Sequence, residues 1–210
     1  RKDLFGFPRL GGPELYYEKS QPVSNRRLRK LRGNGFFHVL RKRDVLLHFP
    51  YHPFRFLIEL IREASIDPFV QAIAMTQYRV AKHSCVAKAL ISAARNGKEV
   101  MVLVEPQARF DEKANIAWAN EYRDEGIQVV LGIPGLKVHA KLLLIERKEH
   151  GRTRHYTALG TGNFNEETAT VFADHLLLTS DTEIGSDVRK IFRFFERTFE
   201  APKLKHLLMA

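Results

Sequence analysis

The sequence has little cysteine and no long hydrophobic run, and each of these absences excludes a class of protein. Cys85 is the single cysteine among 210 residues, which excludes an intramolecular disulfide framework and a cysteine-based zinc site. No apolar run approaches the roughly 20 residues that a membrane-spanning helix needs. The first residues, Arg1-Lys2-Asp3, lack the pattern of a signal peptide. We therefore expect a cytoplasmic protein rather than a secreted scaffold.

Basic residues are concentrated at the start of the chain. The net charge is +10, and residues 1–50 contain 12 Lys and Arg against four acidic residues. The remaining 160 residues have a net charge of only +2. A basic N-terminal arm indicates a polyanionic partner. The three candidates are a nucleic acid, a phosphate polymer and an anionic lipid. The alternative is a solvated arm that faces a missing domain.

The chain divides into two parts that differ in their proline and glycine content and in their hydrophobic pattern. Proline and glycine recur at short intervals up to Gly33-Asn34-Gly35, which predicts irregular structure in a connector arm over residues 1–43. From residue 44 to 210 we expect one domain. Within it, we expect Lys203–Met209 to be a charged stub with nothing to pack on. The hydrophobic patterns predict strands at 45–47, 70–75, 99–104, 127–131, 138–146, 154–159 and 174–179. They predict helices at 54–64, 84–95, 112–124 and 182–198. This alternation indicates an α/β fold with a mixed central sheet and helices on both faces.

The most specific motif is Gly135-Leu136-Lys137-Val138-His139-Ala140-Lys141 on the fifth predicted strand. Alternate side chains of a strand share a face, so we expect His139 and Lys141 on one side. Val138, Ala140 and Leu142 then point into the opposite layer. A neutral imidazole can attack phosphorus while an ammonium group neutralises phosphoryl oxygens. The alternative is an ordinary histidine on a half-exposed strand beside a lysine.

The loop Gly160-Thr161-Gly162-Asn163 follows about twenty residues later. Its glycines allow close approach of the backbone, so N–H groups and the Asn163 amide can reach the same oxygens. Two arginines, Arg79 and Arg109, follow the ends of predicted strands, where ligands bind in α/β sheets. Guanidinium groups suit multidentate phosphate recognition. A surface salt bridge is the alternative role for each arginine.

These motifs resemble two related families. His-x-Lys followed by Gly-x-x-Asn resembles the phospholipase D-like superfamily, whose acidic residue would fall on Glu146. More specifically, the sequence resembles the bacterial polyphosphate kinases of the histidine-phosphorylating type. The segments that carry this resemblance are Thr76–Lys82, Ala108–Glu112, Gly135–Leu142 and Gly160–Asn165. The chain resembles the first of two C-terminal phospholipase D-like domains, together with a preceding connector.

The resemblance implies reversible transfer of the ATP γ-phosphate to inorganic polyphosphate, with His139 as the phosphorylated nucleophile. Arg79 and Arg109 fall at the positions of a magnesium–phosphate site, where contact through shared phosphate oxygens is chemically sensible. Mg²⁺ is the implied cofactor, bridging phosphates and drawing charge from the leaving group. Lys141 and Asn163 would hold the transferred oxygens. Phe172 falls where the family has an adenine-stacking tyrosine, and its alternative role is that of a core aromatic.

The resemblance also implies partners. These are ATP and ADP, inorganic polyphosphate, the missing N-terminal and second C-terminal domains, and further subunits of a homo-oligomer; no specific nucleic acid is expected. Phospholipase D-like sites pair two histidine motifs, and only His139 has a lysine two residues later. We therefore expect the chain alone to be nearly inactive. A peripheral position at the inner membrane stays open, as do two other functions, a homodimeric phospholipase D-like nuclease and a non-catalytic polyanion-binding module.

Overall fold

The computed structural model describes residues 11–15, 21–28, 35–106, 108, 112–199 and 201–209. The helices are α1 (Phe36–Lys42), α2 (Arg55–Ile66), α3 (Cys85–Arg95), α4 (Glu112–Asp124) and α5 (Thr182–Glu196). The strands are β1 (Val45–Phe49), β2 (Val70–Gln77), β3 (Glu99–Val104), β4 (Gln128–Leu131), β5 (Leu142–Glu149), β6 (Arg152–Gly160) and β7 (Asp174–Thr179). None of the described helices is both long and apolar enough to cross a membrane.

All seven described strands form one mixed sheet with the order β1-β7-β6-β5-β2-β3-β4. Strands β2, β3 and β4 are parallel to one another, and the other neighbours pair antiparallel. The register places Gln77 beside Val104 and Leu142 beside Leu159. The carboxyl ends of β2, β3 and β4 therefore meet the first residues of β5 at one edge of the sheet. We call this edge the site edge.

Helices cover both faces of the sheet, as the sequence predicted. Helix α2 buries a stripe along one side, at Phe56, Leu57, Leu60, Ile61 and Ala64. The core on that face also contains buried side chains of α1, α3 and α4. A second core forms on the other face, where α5 packs against strands of the sheet. Two separate apolar layers hold the strands between them, and this arrangement leaves the ends of the strands free to carry polar groups.

Two predictions about the ends of the chain are wrong. Residues 36–42 are helical rather than irregular, because Phe36, Phe37 and Leu40 are apolar at helical spacing and join the main core. The carboxylate of Glu63 on α2 accepts the backbone N–H of Phe36 at 2.8 Å, which supplies the cap that Gly35 lacks. Residues 203–209 also have something to pack on. The buried Asp187 carboxylate of α5 accepts backbone N–H groups of 205–207, and Leu204 and Leu207 pack on the second core.

The start of β5 differs from the prediction. This strand begins at Leu142 and not at residue 138, so His139 and Lys141 lie in the extended segment that precedes it. Val138 and Leu142 are buried, as predicted, but Ala140 between them is exposed. Next to this segment the Thr76 hydroxyl, and not the β2 backbone, bonds to the Ala140 carbonyl and the Leu142 N–H. Strand alternation therefore does not decide where the His139 and Lys141 side chains point.

Candidate functional site

The centre of the candidate site is the aromatic ring of Tyr78, which follows β2 at the site edge. The His139 ring meets it edge-on, with 4.8 Å between ring centroids. Three cationic groups lie over the same ring, at 5.3 Å for Lys141 Nζ, 5.8 Å for Lys137 Nζ and 5.9 Å for Arg79 Cζ. A cation within about 6 Å of a ring centroid is attracted by the negative face of the ring. Tyr78 thus gathers one imidazole and three cations in one place, which we call the His139 cluster.

Thr76 on β2 holds the extended segment that carries His139. Its hydroxyl donates to the carbonyl oxygen of Ala140 at 2.7 Å and accepts the backbone N–H of Leu142 at 2.9 Å. The buried Glu105 carboxylate accepts the Val138 N–H at 3.2 Å on the other side of His139. The backbone is therefore fixed both before and after the histidine. An exposed imidazole on a fixed backbone is suited to repeated contact with a small reactant.

The surroundings of His139 favour its neutral form. Partial burial of the imidazole, together with the positive charges of Lys141, Lys137 and Arg79, lowers the pKa of His139 below its ordinary value of 6.5. Each of these causes penalises a second positive charge in the same place. At pH 7 the ring therefore keeps an unprotonated nitrogen, which is the form that acts as a nucleophile.

Lys141 is buried, and its charge is less stable than that of a surface lysine. Burial lowers the pKa of Lys141 to about 8; the negative charge of Asp174 opposes this shift, and Arg79 adds to it. The ammonium group donates to the backbone carbonyl of His139. Because its pKa lies about one unit above neutrality, Lys141 is mostly charged at pH 7. The cluster therefore offers a cation within reach of any anion that approaches His139.

The glycine-rich loop lies against the same segment. The Gly160 N–H donates to the Lys141 carbonyl at 2.9 Å, which ties the end of β6 to the residue before β5. A Cβ atom at Gly162 would lie 2.1 Å from an oxygen of Asp174, so this position requires glycine. Asn163 carries a buried side-chain oxygen that has no hydrogen-bond partner among the residues that the structure describes. Buried polar atoms usually have partners, and an unpaired one beside a reactive cluster is typical of a ligand site.

One face of α4 positions the loops of the site edge, a role that the sequence analysis did not predict. The buried Asn115 side chain donates to the carbonyls of Tyr78 and Glu105, each at 2.9 Å. Trp118 donates to the carbonyl of Ala81 at 2.9 Å. One turn later Tyr122 donates to the Gln77 side chain, also at 2.9 Å. The available signal was an Asn, a Trp and a Tyr at helical spacing in a helix that follows two strand ends.

With this geometry established, comparison with known proteins identifies the family. The family model that describes polyphosphate kinase C-terminal domain 1 matches residues 35–201, which is more than half of the chain. The chain belongs to this family. The resemblance inferred from the motifs is therefore confirmed. Its polyphosphate kinase relatives include those of Escherichia coli strain K12, at 44% identity over 209 residues, and Klebsiella pneumoniae, at 46% over 212 residues. Both matches include the whole of this chain, which spans only 30% of each relative.

Solved structures agree with this membership. The crystal structure of polyphosphate kinase from Porphyromonas gingivalis matches with a TM-score of 0.77 and 38% identity, over 93% of this chain and 32% of that one. The phospholipase D family member Nuc from Salmonella typhimurium matches with a TM-score of 0.57 and 16% identity, over 75% of this chain and 93% of that one. The second likeness concerns the fold alone. It confirms the phospholipase D-like fold that the His-x-Lys and Gly-x-x-Asn motifs predicted.

The structure does not bring every predicted site residue of this polyphosphate kinase domain to the His139 cluster. Arg109 lies outside the described residues. Phe172 is 59% exposed just before β7, so it is not a core aromatic. Glu146 lies in the interior of β5, where its carboxylate contacts Arg189 at 2.9 Å and His155 at 3.6 Å. The predicted acidic residue is therefore engaged in an ion pair with α5.

A divalent metal does not fit the described part of the His139 cluster as a resident ion. Mg²⁺ prefers carboxylate, carbonyl and water oxygens. The cluster instead presents Lys137, Lys141 and Arg79, whose charges repel a cation. Across the described residues, no group of three His, Cys, Asp or Glu side chains could hold a metal ion. The arginines and lysines suit phosphate oxygens, and we derive no step through a metal held by these side chains.

Proposed function

We propose that this domain carries the phosphohistidine site of a polyphosphate kinase. A ring nitrogen of His139 attacks the γ-phosphorus of ATP, and the bond from that phosphorus to the bridging oxygen breaks, so ADP leaves. A terminal oxygen of inorganic polyphosphate then attacks the same phosphorus, and the phosphorus–nitrogen bond breaks. The polyphosphate is then longer by one phosphate, and His139 returns to its unmodified form. The relatives support this proposal, since they are named polyphosphate kinases.

The observation that carries the proposal is the placement of the His139 ring against Tyr78 together with three cationic side chains. A protonated histidine cannot attack phosphorus, and the pKa of His139 is lowered by burial and by its charged neighbours. Those neighbours also offset the negative charge of the transferred group and of the leaving group. One arrangement therefore serves both requirements.

The other members of the cluster have supporting roles in this proposal. Lys141 and Arg79 bind oxygens of the transferred phosphoryl group. We assign the side-chain N–H group of Asn163 to the same oxygens on the basis of its motif. We assign Arg109 to the phosphates on the basis of its motif alone. Phe172 presents an exposed ring before β7, where it stacks on the adenine of ATP. Magnesium, where the reaction uses it, arrives on the phosphates of the nucleotide.

The site of this domain is proposed to be one half of a larger site. The chain spans 30% of its relatives, and His139 is its single histidine with a lysine two residues later. We assign this domain to the first of two phospholipase D-like domains. Its first element is α1 and not the expected residue 44, because α1 packs in the main core, and we assign the residues before α1 to a connector. The second histidine motif, other domains of the full-length protein and further copies of it complete the active unit. Family membership favours this reading over the homodimeric nuclease, whose likeness extends to the fold alone.

The proposal is tested by labelling the full-length protein with ATP that carries a radioactive γ-phosphate. The wild type should take up acid-labile, alkali-stable label, the behaviour of a phosphohistidine. His139→Ala should take up none. His155→Ala serves as the control, because His155 lies on β6 beside Glu146, away from the cluster, and should label normally. Equal labelling of wild type and His139→Ala would remove His139 as the nucleophile.

A further inference from the structure

We propose that Asp174 is a positioning residue for the phosphoryl transfer, which holds the Gly160–Asn163 loop in shape and serves as the counterion of Lys141. This inference rests on the proposed function. Asp174 is the half-buried first residue of β7, beside the end of β6 at the site edge. A carboxylate next to a site for phosphate repels the substrate, so its presence there requires a physical reason.

The Asp174 carboxylate braces the glycine-rich loop. The Thr161 hydroxyl donates to one carboxylate oxygen at 2.8 Å and accepts the His175 N–H at 2.9 Å. The Thr161 N–H donates to the His175 carbonyl at 3.0 Å. The second carboxylate oxygen fills the space that a side chain at Gly162 would need, because a Cβ atom there would lie 2.1 Å from it. Three hydrogen bonds and one close contact therefore fix the first half of the loop against β7.

The same carboxylate acts on Lys141 from across this loop. The Gly160 N–H donates to the Lys141 carbonyl at 2.9 Å, so the braced loop is joined to the lysine. The Lys141 ammonium group donates to the carbonyl of His139, which carries no charge. Two charged side chains act on this ammonium group, the positive Arg79 and the negative Asp174. Asp174 is therefore the group that favours the charged form of the lysine.

Lys141 needs a counterion because it is only 5% exposed and lies among other cations. Burial and the charge of Arg79 lower the pKa of Lys141 to about 8, against the opposing effect of Asp174. Without the carboxylate, the ammonium group would lose its proton closer to neutral pH. A neutral amine cannot offset the charge of a phosphoryl group. The counterion thus preserves the function of the lysine at pH 7.

The position of Asp174 leaves Lys141 available to phosphate. Asp174 accepts from Thr161 while Lys141 donates to a carbonyl, so the two charges attract each other without a direct hydrogen bond. The ammonium group can therefore turn its protons toward phosphate oxygens. Lys137, Lys141 and Arg79 outnumber the single carboxylate, so these described charges remain positive in sum.

Two other titratable groups lie on the Asp174 side of the loop. They are the imidazoles of His175 and of His48 on β1, which stack with 4.3 Å between ring centroids. Neither ring is changed in the variants compared below. A difference between these variants therefore reports on the carboxylate.

The test measures single-turnover labelling of His139 from pH 6 to 9 in the full-length protein. Asp174→Asn removes the charge and keeps an oxygen that can accept from Thr161. Asp181→Asn is the matched control, because it removes the same charge beyond the other end of β7, where Asp181 caps α5 and asparagine caps equally well. The double variant Asp174→Asn, Lys141→Met tests whether the two residues act together. Thermal unfolding checks the folding of each variant.

We expect the fall in rate above about pH 8, where Lys141 loses its charge, to move in Asp174→Asn. The move should be to lower pH, by about half a unit to one unit. The rate at pH 8 is then about twofold to fivefold below that of the wild type, whereas the rate at pH 6.5 is not reduced. Asp181→Asn should keep the wild-type profile. In the Lys141→Met background, Asp174→Asn should cause no further loss on the alkaline side.

The role of Asp174 in the loop is tested by Thr161→Val, which removes the hydroxyl that joins the loop to β7. Labelling should slow by about threefold to tenfold at every pH, the effect of losing one hydrogen bond, and the alkaline fall should stay in place. Thr161→Ser should restore the rate, because it restores the hydroxyl. Wild-type labelling in Thr161→Val overturns this part of the inference.

An alkaline fall that stays at the wild-type pH in Asp174→Asn overturns the counterion role. So does an equal loss at pH 6.5 and pH 8, which would indicate a role in folding or in direct contact with substrate. A loss that a higher Mg²⁺ concentration restores also overturns it, because the carboxylate would then bind the metal of the nucleotide. Failure of the proposed function is a separate result, since it appears as absent labelling in the wild type.

Discussion

Two histidines of this domain lie close to β5 and have opposite surroundings. His139 lies just before the strand, against Tyr78, among Lys137, Lys141 and Arg79. His155 lies on the neighbouring β6, paired in register with Glu146 and 3.6 Å from its carboxylate. Burial and three cations lower the pKa of His139, whereas His155 faces a negative charge. The partners of a histidine, and not its presence on a sheet, decide whether it can act as a nucleophile at neutral pH.

The carboxylate near His155 belongs to Glu146, which also contacts α5. The adjacent His155 side chain and the positive charges of Arg189 and Arg193 lower the pKa of Glu146. Glu146 therefore links the sheet to α5 through its ion pair with Arg189. An imidazole and basic groups thus form a structural ion-pair contact around Glu146 and a reactive cluster around His139. Changing the charged neighbours of His139 is the most direct way to test this distinction.

The largest effect is expected from Lys141→Met in the full-length protein. Methionine fills the buried position without a charge, so the phosphoryl oxygens lose a cation in the transition state. We expect the rate of His139 labelling to fall about a hundredfold at pH 7. The wild-type rate should rise with pH below 6.5 as His139 loses its proton, and fall above about 8 as Lys141 loses its charge.

The variant separates these two limbs. In Lys141→Met the fall near pH 8 should disappear. The rise with pH should remain but move to slightly higher pH, because the Lys141 charge is one of the causes that lower the pKa of His139. Single-turnover labelling across pH 5 to 9 provides the measurement. A fall near pH 8 that persists in Lys141→Met would show that another group causes it.

A smaller effect is expected from Lys137→Glu, which gives His139 the kind of neighbour that His155 has. The exposed carboxylate favours the protonated imidazole and repels phosphate, so labelling at pH 7 should fall about tenfold. Raising the salt concentration should reduce the difference, because the new charge is exposed. Glu146→Gln is the matched control and should label at the wild-type rate. Equal loss in both variants would contradict the distinction between the two histidines.

The smallest effect is expected from Phe172→Ala. The ring is 59% exposed, so its removal costs little stability. Loss of stacking on adenine is worth about 1–3 kcal/mol, which corresponds to a rise in the KM for ATP of roughly tenfold. The rate at saturating ATP should change little, since the ring does not touch the reacting phosphate. Phe172→Tyr should behave like the wild type. An unchanged KM in Phe172→Ala would remove this residue from the nucleotide site.

The fold followed closely from the sequence, because long elements have strong periodic patterns. The strands at 99–104 and 174–179 and the helix at 112–124 have the bounds predicted from hydrophobic spacing. The failures lie where tertiary contacts decide. Phe36–Lys42 becomes helical because the main core buries its apolar face. Residues 203–209 become ordered against α5 because the Asp187 carboxylate gathers three of their N–H groups.

The candidate site was predictable in its residue types but not in its geometry. The His139, Lys141 and Gly160–Asn163 motifs are local in sequence and indicate phosphate chemistry by themselves. Tyr78 was visible only as one polar residue in a motif, yet its ring joins the cluster across 61 residues of chain to His139. The helical spacing of Asn115, Trp118 and Tyr122 did not reveal what Asn115 binds, because its two partner loops meet only in the folded sheet. Contacts of this kind require the topology.

The most direct test of the central claim is to locate the phosphoryl group in the full-length protein. The protein is incubated briefly with ATP, digested at alkaline pH, and the peptides are sequenced by mass spectrometry under conditions that preserve phosphoramidates. The predicted result is one phosphorylated peptide, carrying the added group on His139. A phosphoryl group found on any other residue, with His139 unmodified, would contradict the claim.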